Sequence, residues 1–184
     1  MLTSKDQIRQ LYEEATANQN TLPALVLQAF IAGEDRNFYQ RPISRSVITQ
    51  HVSIRHLPPS SGRLQQLALA ILIGRELSHE EVVEWFVSQV FLGQSCFGVS
   101  NAAAAYFGTT VGELKLEEAA YLAALPKAPL RFHPVESYER AVERRNLVLK
   151  EMLKAGFISS EEAKRAIQSE LKVIVPLARC EGDQ

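Results

Sequence analysis

The chain has 184 residues, 46% hydrophobic and 22% charged, with a formal net charge of −1. That size and balance are ordinary for one soluble globular domain able to bury a core without staples. They exclude a partner selected by global charge. The longest apolar run, Leu67 to Gly74, has eight residues and excludes a bilayer-spanning helix.

Taken in order, nearly every segment reads as helix. Ser4 caps a first helix whose apolar face uses Ile8, Leu11 and Tyr12. Pro23 opens a second, with Leu22, Leu25, Val26, Ala29 and Phe30 at helical spacing. Ser44 to Arg55 forms a short helix broken by Pro58-Pro59, and Leu64 to Leu77 is apolar on most faces, as a core helix would be. Ser78-His79-Glu80-Glu81 is a capping box opening Val82 to Leu92. Gly93 to Gly98 is loop, and Gly108 ends an alanine-rich helix over Asn101 to Phe107. Leu116 to Leu125 is stopped by Pro126-Lys127-Ala128-Pro129, and Ser137 to Ala155 ends at Gly156. Ser159 caps a last helix through Leu171, and Val173-Ile174-Val175 is a strand or a docked tail. The expectation is an all-α domain over 21–172, with an N-terminal helix in 1–20 and a tail over 173–184.

Charge is uneven along this chain. Between Asp35 and Glu76 there is no acid, but six arginines (36, 41, 45, 55, 63 and 75) and two histidines, His51 and His56. Glu34 stands where the apolar run from Leu22 stops, at the lip of this cationic segment. A carboxylate so placed suits proton abstraction beside an anionic leaving group; the plainer reading is an exposed helix end before a solvated basic face. Cys96 and Cys180 have no metal-ligand spacing. They pair only if the tail folds back; otherwise Cys96 is a buried apolar residue and Cys180 a free thiol. Nothing in the sequence suggests a structural metal. The first residues lack signal-peptide architecture, so the expectation is a cytoplasmic protein, or a periplasmic or membrane-associated one if an anchor precedes this sequence.

The ordered motifs carry more. Glu34-Asp35-Arg36-Asn37-Phe38 looks like E-D-x-x-F, and Ser46-Val47-Ile48-Thr49-Gln50-His51 like S-T-I-T-Q-Q. Arg75 to Glu81, with Glu84-Trp85-Phe86 and Phe91-Leu92-Gly93, looks like E-x-Y-L-N-x-x-Y-F-G. Ala103 to Gly108, Leu116 to Ala123 and Arg144-Arg145-Asn146-Leu147-Val148-Leu149 follow in order. Together they resemble the peptidoglycan glycosyltransferase family, the transglycosylase module of class A penicillin-binding proteins (glycosyltransferase family 51). The resemblance implies a lysozyme-like helical domain and a base, Glu34, that deprotonates a sugar hydroxyl attacking a lipid-linked disaccharide. The leaving group would be a polyprenyl pyrophosphate, stabilised by fixed cations or, in an active enzyme, a divalent metal; no other cofactor is implied. Asp35, Phe38, Ser46, Thr49, Gln50, Arg55 and Arg63 become candidate substrate contacts. Glu84, Arg144 and Arg145 become structural residues, the arginines clamping helices through carboxylates such as Glu84. Trp85 reads as core, His51 as a solvated histidine and His133 as loop.

Three departures follow. The third motif, R-K-x-x-E, corresponds to Gly62-Arg63-Leu64-Gln65-Gln66, so the second glutamate is Gln66, which cannot ionise. The lysine after T-Q-Q falls at Ile54, and the next arginine has no match near Pro58-Pro59. Seven residues separate Phe38 from Ser46, where the family spends a much longer donor-side (jaw) segment; Ser88 also stands where the fourth motif has asparagine. The leading expectation is a pseudoenzyme that binds lipid-linked precursor, glycan strands or a protein partner with weakened or lost polymerase chemistry. The first alternative is an active polymerase using Glu34. The second is a lysozyme-like glycan-cleaving enzyme working with one acid, by fold analogy. Nucleic acid is not an expected partner.

Overall fold

The computed structural model describes residues 5–17 and 21–180. Its helices are α1 (Lys5–Thr16), α2 (Ala24–Glu34), α3 (Val47–Arg55), α4 (Arg63–Glu76), α5 (His79–Gln89), α6 (Val99–Phe107), α7 (Leu116–Ala124), α8 (Tyr138–Lys154) and α9 (Ser160–Gln168), joined by short 3-10 turns. Among the described residues there is no strand, only one isolated bridge between Phe91 and Phe97. Among the described residues no helix is long and apolar enough to cross a membrane.

The centre is α2, packed on α7, α8 and α5. It carries Val26, Ala29, Phe30 and Ile31 with no exposed surface. Burying side chains the size of Val26, Phe30 and Ile31 stabilises by about 1.5–3 kcal/mol each. The alanines of α7 let α2 come close. A Cβ on Gly33 would lie 2.7 Å from the Ala123 carbonyl oxygen, so glycine is required at this crossing. The close approach fixes the end of α2, where Glu34 sits.

The start of α3 is set by two side chains. Ser46 Oγ accepts from the Ile48 amide at 3.0 Å, and Asp35 Oδ2 accepts from the Val47 amide at 3.2 Å. Negative charge at a helix N-terminus satisfies orphan donors and meets the favourable end of the dipole. The helix expected from Ser44 therefore begins at Val47, because Ser46 is the cap.

Helix α4 corrects a second expectation. Only Leu69, Ala70 and Ile73 are buried, while Leu64, Leu67 and Ile71 are 83%, 51% and 36% exposed. Its inner side meets α3, α1 and the turn Ile43–Arg45. The apolar residues on its other side remain open.

Helix α1 docks through polar contacts around buried Ile8. Arg9 pairs with Glu81 and donates to the Glu76 carbonyl at 2.6 Å, and the Tyr12 hydroxyl donates to Glu84 Oε2 at 2.8 Å. The Ser4 cap lies outside the described residues. At the other end α9 stops at Gln168, three residues short of the expectation. Arg145, 1% exposed, donates to the carbonyls of Ile167 and Ser169 at 3.1 and 2.8 Å, satisfying groups left open at that end. The clamp expected between the arginines and Glu84 is not formed. Glu84 serves Tyr12, and Arg145 holds α9.

The tail after Leu171 is docked rather than a strand. Its amides at Ile174 and Ala178 donate to the carbonyls of Tyr106 and Ala105. It ends in a disulfide between Cys180 and Cys96, 84 residues apart. The free-thiol expectation is thereby corrected: the tail folds back over α6.

Candidate active site

Glu34 ends α2 at the wall of a cavity of about 450 Å³ that also reaches Asp35, Arg36, Arg41, Lys127, Arg144 and Glu151. A carboxylate at a helix C-terminus faces the negative end of the dipole. Burial raises its pKa above the ordinary glutamate value; the Lys127 and Arg144 charges oppose that rise and Asp35 adds to it. Its Oε1 is buried without a hydrogen-bond partner. Such an oxygen is open to a proton donor, as a base requires.

The surrounding charges are sorted by pairing. Arg36 binds Glu151 at 2.7 Å and Arg41 lies 3.5 Å from Asp35. Lys127 donates to the Gly33 carbonyl at 2.9 Å. Arg144 stacks 5.9 Å from the Phe132 ring and has a buried Nε without a partner. Lys127 and Arg144 are thus the cations that act on Glu34. Among the described residues no group of three His, Cys, Asp or Glu side chains could hold a metal ion. Asp35 and Glu151, the other carboxylates of this cavity, already face cations.

Across the Leu125–Lys127 turn lies a second cleft of about 410 Å³. Its lining includes Trp85, Phe86, Phe91, Pro126, Pro129 and Ile54, with His51, Gln89 and Arg55 as its polar members. The turn is a partition: Pro126 and Pro129 face the apolar cleft, Lys127 the polar cavity. Burial and the Lys127 charge push the His51 imidazole below its ordinary pKa, so the ring is neutral at pH 7. The Gln89 amide meets the His56 ring at 2.9 Å, and Trp85, 1% exposed, keeps an indole N–H without a partner.

The candidate residues separate into three groups. Glu34, Asp35 and Arg144 share the polar cavity, and Arg55 lines the apolar cleft. Phe38, Ser46 and Thr49 have no exposed surface in this structure, and the Thr49 hydroxyl is buried without a hydrogen-bond partner. Phe38 packs edge-on to His79 at 4.9 Å. Gln50 is exposed on α3, and Arg63 is exposed at the first turn of α4; neither lines the polar cavity or the apolar cleft. Gln66 also lines neither, and its amide reaches only the Ser61 carbonyl at 3.4 Å. His51 lines the cleft rather than standing free in solvent. His133 caps its own loop, accepting from the amides of Val135 and Glu136.

Sequence reasoning missed Lys127, Arg36 and Arg41 as cavity residues. The available signal for Lys127 was its place between Pro126 and Pro129, which fixes the backbone and so the direction of the side chain.

Comparison with known proteins fits this geometry. The family described as Transglycosylase matches residues 43–153, which begins after Glu34 and covers more than half the chain. Penicillin-binding protein 1A of Aquifex aeolicus is 39% identical over 177 residues, covering 83% of this chain and 24% of that protein. The protein of the same name from Escherichia coli is 36% identical over 166 residues, covering 77% and 20%. The crystal structure of penicillin-binding protein 1A from Haemophilus influenzae superposes with a TM-score of 0.58 at 30% identity, over 84% of this chain and 17% of that one. The chain spans about a quarter or less of the length of these relatives. With an all-α fold, the ordered motifs and a match over most of its length, the chain belongs to the transglycosylase family, the glycosyltransferase family 51 module found in class A penicillin-binding proteins.

Proposed function

We propose that this protein binds peptidoglycan precursor or glycan strands in the two cavities on either side of the Leu125–Lys127 turn, with polymerase chemistry weakened on the donor side. One observation carries the reading: beyond the Lys127 partition, the apolar cleft has a single cation in its lining, Arg55. A departing pyrophosphate accumulates negative charge that preorganised cations must meet. Ile54 supplies none, and Gln66 is turned to its own loop. The acceptor side is better equipped. Glu34 takes the proton of an attacking sugar hydroxyl, and Lys127 and Arg144 oppose the rise in pKa that burial imposes on it. The single-acid hydrolase reading has less support, since it rests on fold analogy alone and the raised Glu34 pKa is common to both readings.

The test is polymerisation of a lipid-linked disaccharide by the purified protein. Binding with little or no chain growth is expected. Robust growth that disappears in Glu34→Gln would replace this reading with that of an active polymerase, which the unpartnered Glu34 Oε1 favours. Gln66→Glu alone is expected to leave chain growth absent, because the cationic half of the donor site is missing as well.

A further inference from the structure

The Cys96–Cys180 disulfide joins two segments that the proposed chemistry does not use. Cys96 is fully buried in the loop between α5 and α6, where the amide of Leu92 donates to the Cys96 carbonyl at 2.9 Å and that of Gly98 to the Val90 carbonyl at 2.9 Å. This loop holds Gln94 and Ser95 at φ 50° and 59°, left-handed values that side chains other than glycine rarely adopt. Its two ends bring Phe91 and Phe97 together, ring centroids 5.1 Å apart. Phe91 lines the apolar cleft, and Phe97 lies under Arg55, which lines it too, at 4.8 Å. From the other side, the Cys180 amide donates to the Gln94 carbonyl at 3.0 Å, after the tail has crossed α6 through Ile174 and Ala178. The disulfide therefore sits behind the wall of the cleft, and it fastens the last turn of tail to the loop that shapes that wall.

We propose that Cys96–Cys180 is a redox latch. When the bond is formed, the tail lies across α6, the left-handed loop is held, and the Phe91–Phe97 wall is fixed. When it is reduced, the tail lifts and the wall loosens. The closing step is thiol–disulfide exchange. The Cys180 thiolate attacks a disulfide-bearing oxidant to give a mixed disulfide and one released thiolate. The Cys96 thiolate then displaces the second oxidant sulfur, so the oxidant leaves as a dithiol and the two cysteines have lost two electrons and two protons. The cleft would thus reach its final shape only in a compartment that supplies such an oxidant. This inference stands apart from which reaction the cleft performs.

Trp85 is the chain's one tryptophan and lines the cleft, so its quenching by acrylamide reports on the wall. The protein is compared before and after dithiothreitol, with thiols counted by iodoacetamide adducts and tail release followed by trypsin cleavage after Lys172 and Arg179. Before reduction no adduct is expected. Reduction should give two adducts, tail cleavage roughly tenfold faster, as for a segment that has lost its docking, and stronger Trp85 quenching. Cys180→Ser, which leaves buried Cys96 in place, should reproduce the faster cleavage and stronger quenching without reductant. Two reactive thiols in protein prepared from an oxidising compartment would overturn the latch. So would tail release that leaves Trp85 quenching unchanged, since the bond would then have no hold on the cleft.

Discussion

Glu34 shows how a single residue inherits its chemistry from its surroundings. Its folded pKa lies above the ordinary value because burial disfavours the charged form more than Lys127 and Arg144 restore it. The folded state therefore keeps a proton that the unfolded chain has lost. The sign follows: relative to Glu34→Gln, the wild type is most stable below the unfolded glutamate pKa and loses that contribution as pH rises through the folded value. Denaturant titrations of both proteins across acidic pH should show this divergence, and curves that stay parallel would contradict it. Lys127→Gln should carry the loss to higher pH, because a positive charge that opposes the rise is gone. Gly33→Ala tests the other side of the same corner. Its Cβ would meet backbone at 2.7 Å, and a cost of about 1–3 kcal/mol is expected in thermal unfolding. Glu34 was legible in the sequence because an apolar run ended on a carboxylate. Lys127 was not, because its importance depends on which cavity a turn points into.

At the level of elements, the helices themselves could be read from spacing and caps. Ser78 and Ser159 begin their helices with the expected boxes, and Gly108 closes α6 with a left-handed residue. What the pattern could not give was the number of partners each helix has. Leu64 to Leu77 looks like core because it is apolar on most faces, yet hydrophobicity says nothing of whether a neighbour stands opposite. On the outer side of α4, Leu64, Leu67 and Ile71 are left exposed. Leu67→Gln on that side should change stability by no more than about 0.5 kcal/mol, whereas Ile73→Ala on the buried side should cost about 2–5 kcal/mol. Arg145 gives the opposite lesson. The sequence suggests a clamp through a carboxylate, whereas its partners include the carbonyls at the end of α9. Arg145→Met should release that end, and hydrogen exchange should then lose protection first in α9 and the tail.

Across the whole molecule, the charge that looked like one cationic segment is divided. Arg36 and Arg41 serve the polar cavity, Arg55 the apolar cleft, and Arg63 neither. Linear sequence shows the excess of arginine but not this partition, because the Pro126–Pro129 turn that creates it comes from the other half of the chain. The disulfide was hidden for the same reason, being set by the path of a tail 84 residues away. In the chain-entropy model a cross-link of that span stabilises by roughly 4–5 kcal/mol, mainly through the unfolded state. The central claim, a proton-accepting side kept beside a donor side without its cations, is tested most directly by rebuilding the latter. Chain growth from a lipid-linked disaccharide should be measured for the wild type and for the double variant Ile54→Lys with Gln66→Glu. Growth at least about tenfold above the wild type in the rebuilt protein is the expected result. Wild-type growth as fast as that of the rebuilt protein, and abolished by Glu34→Gln, would contradict it.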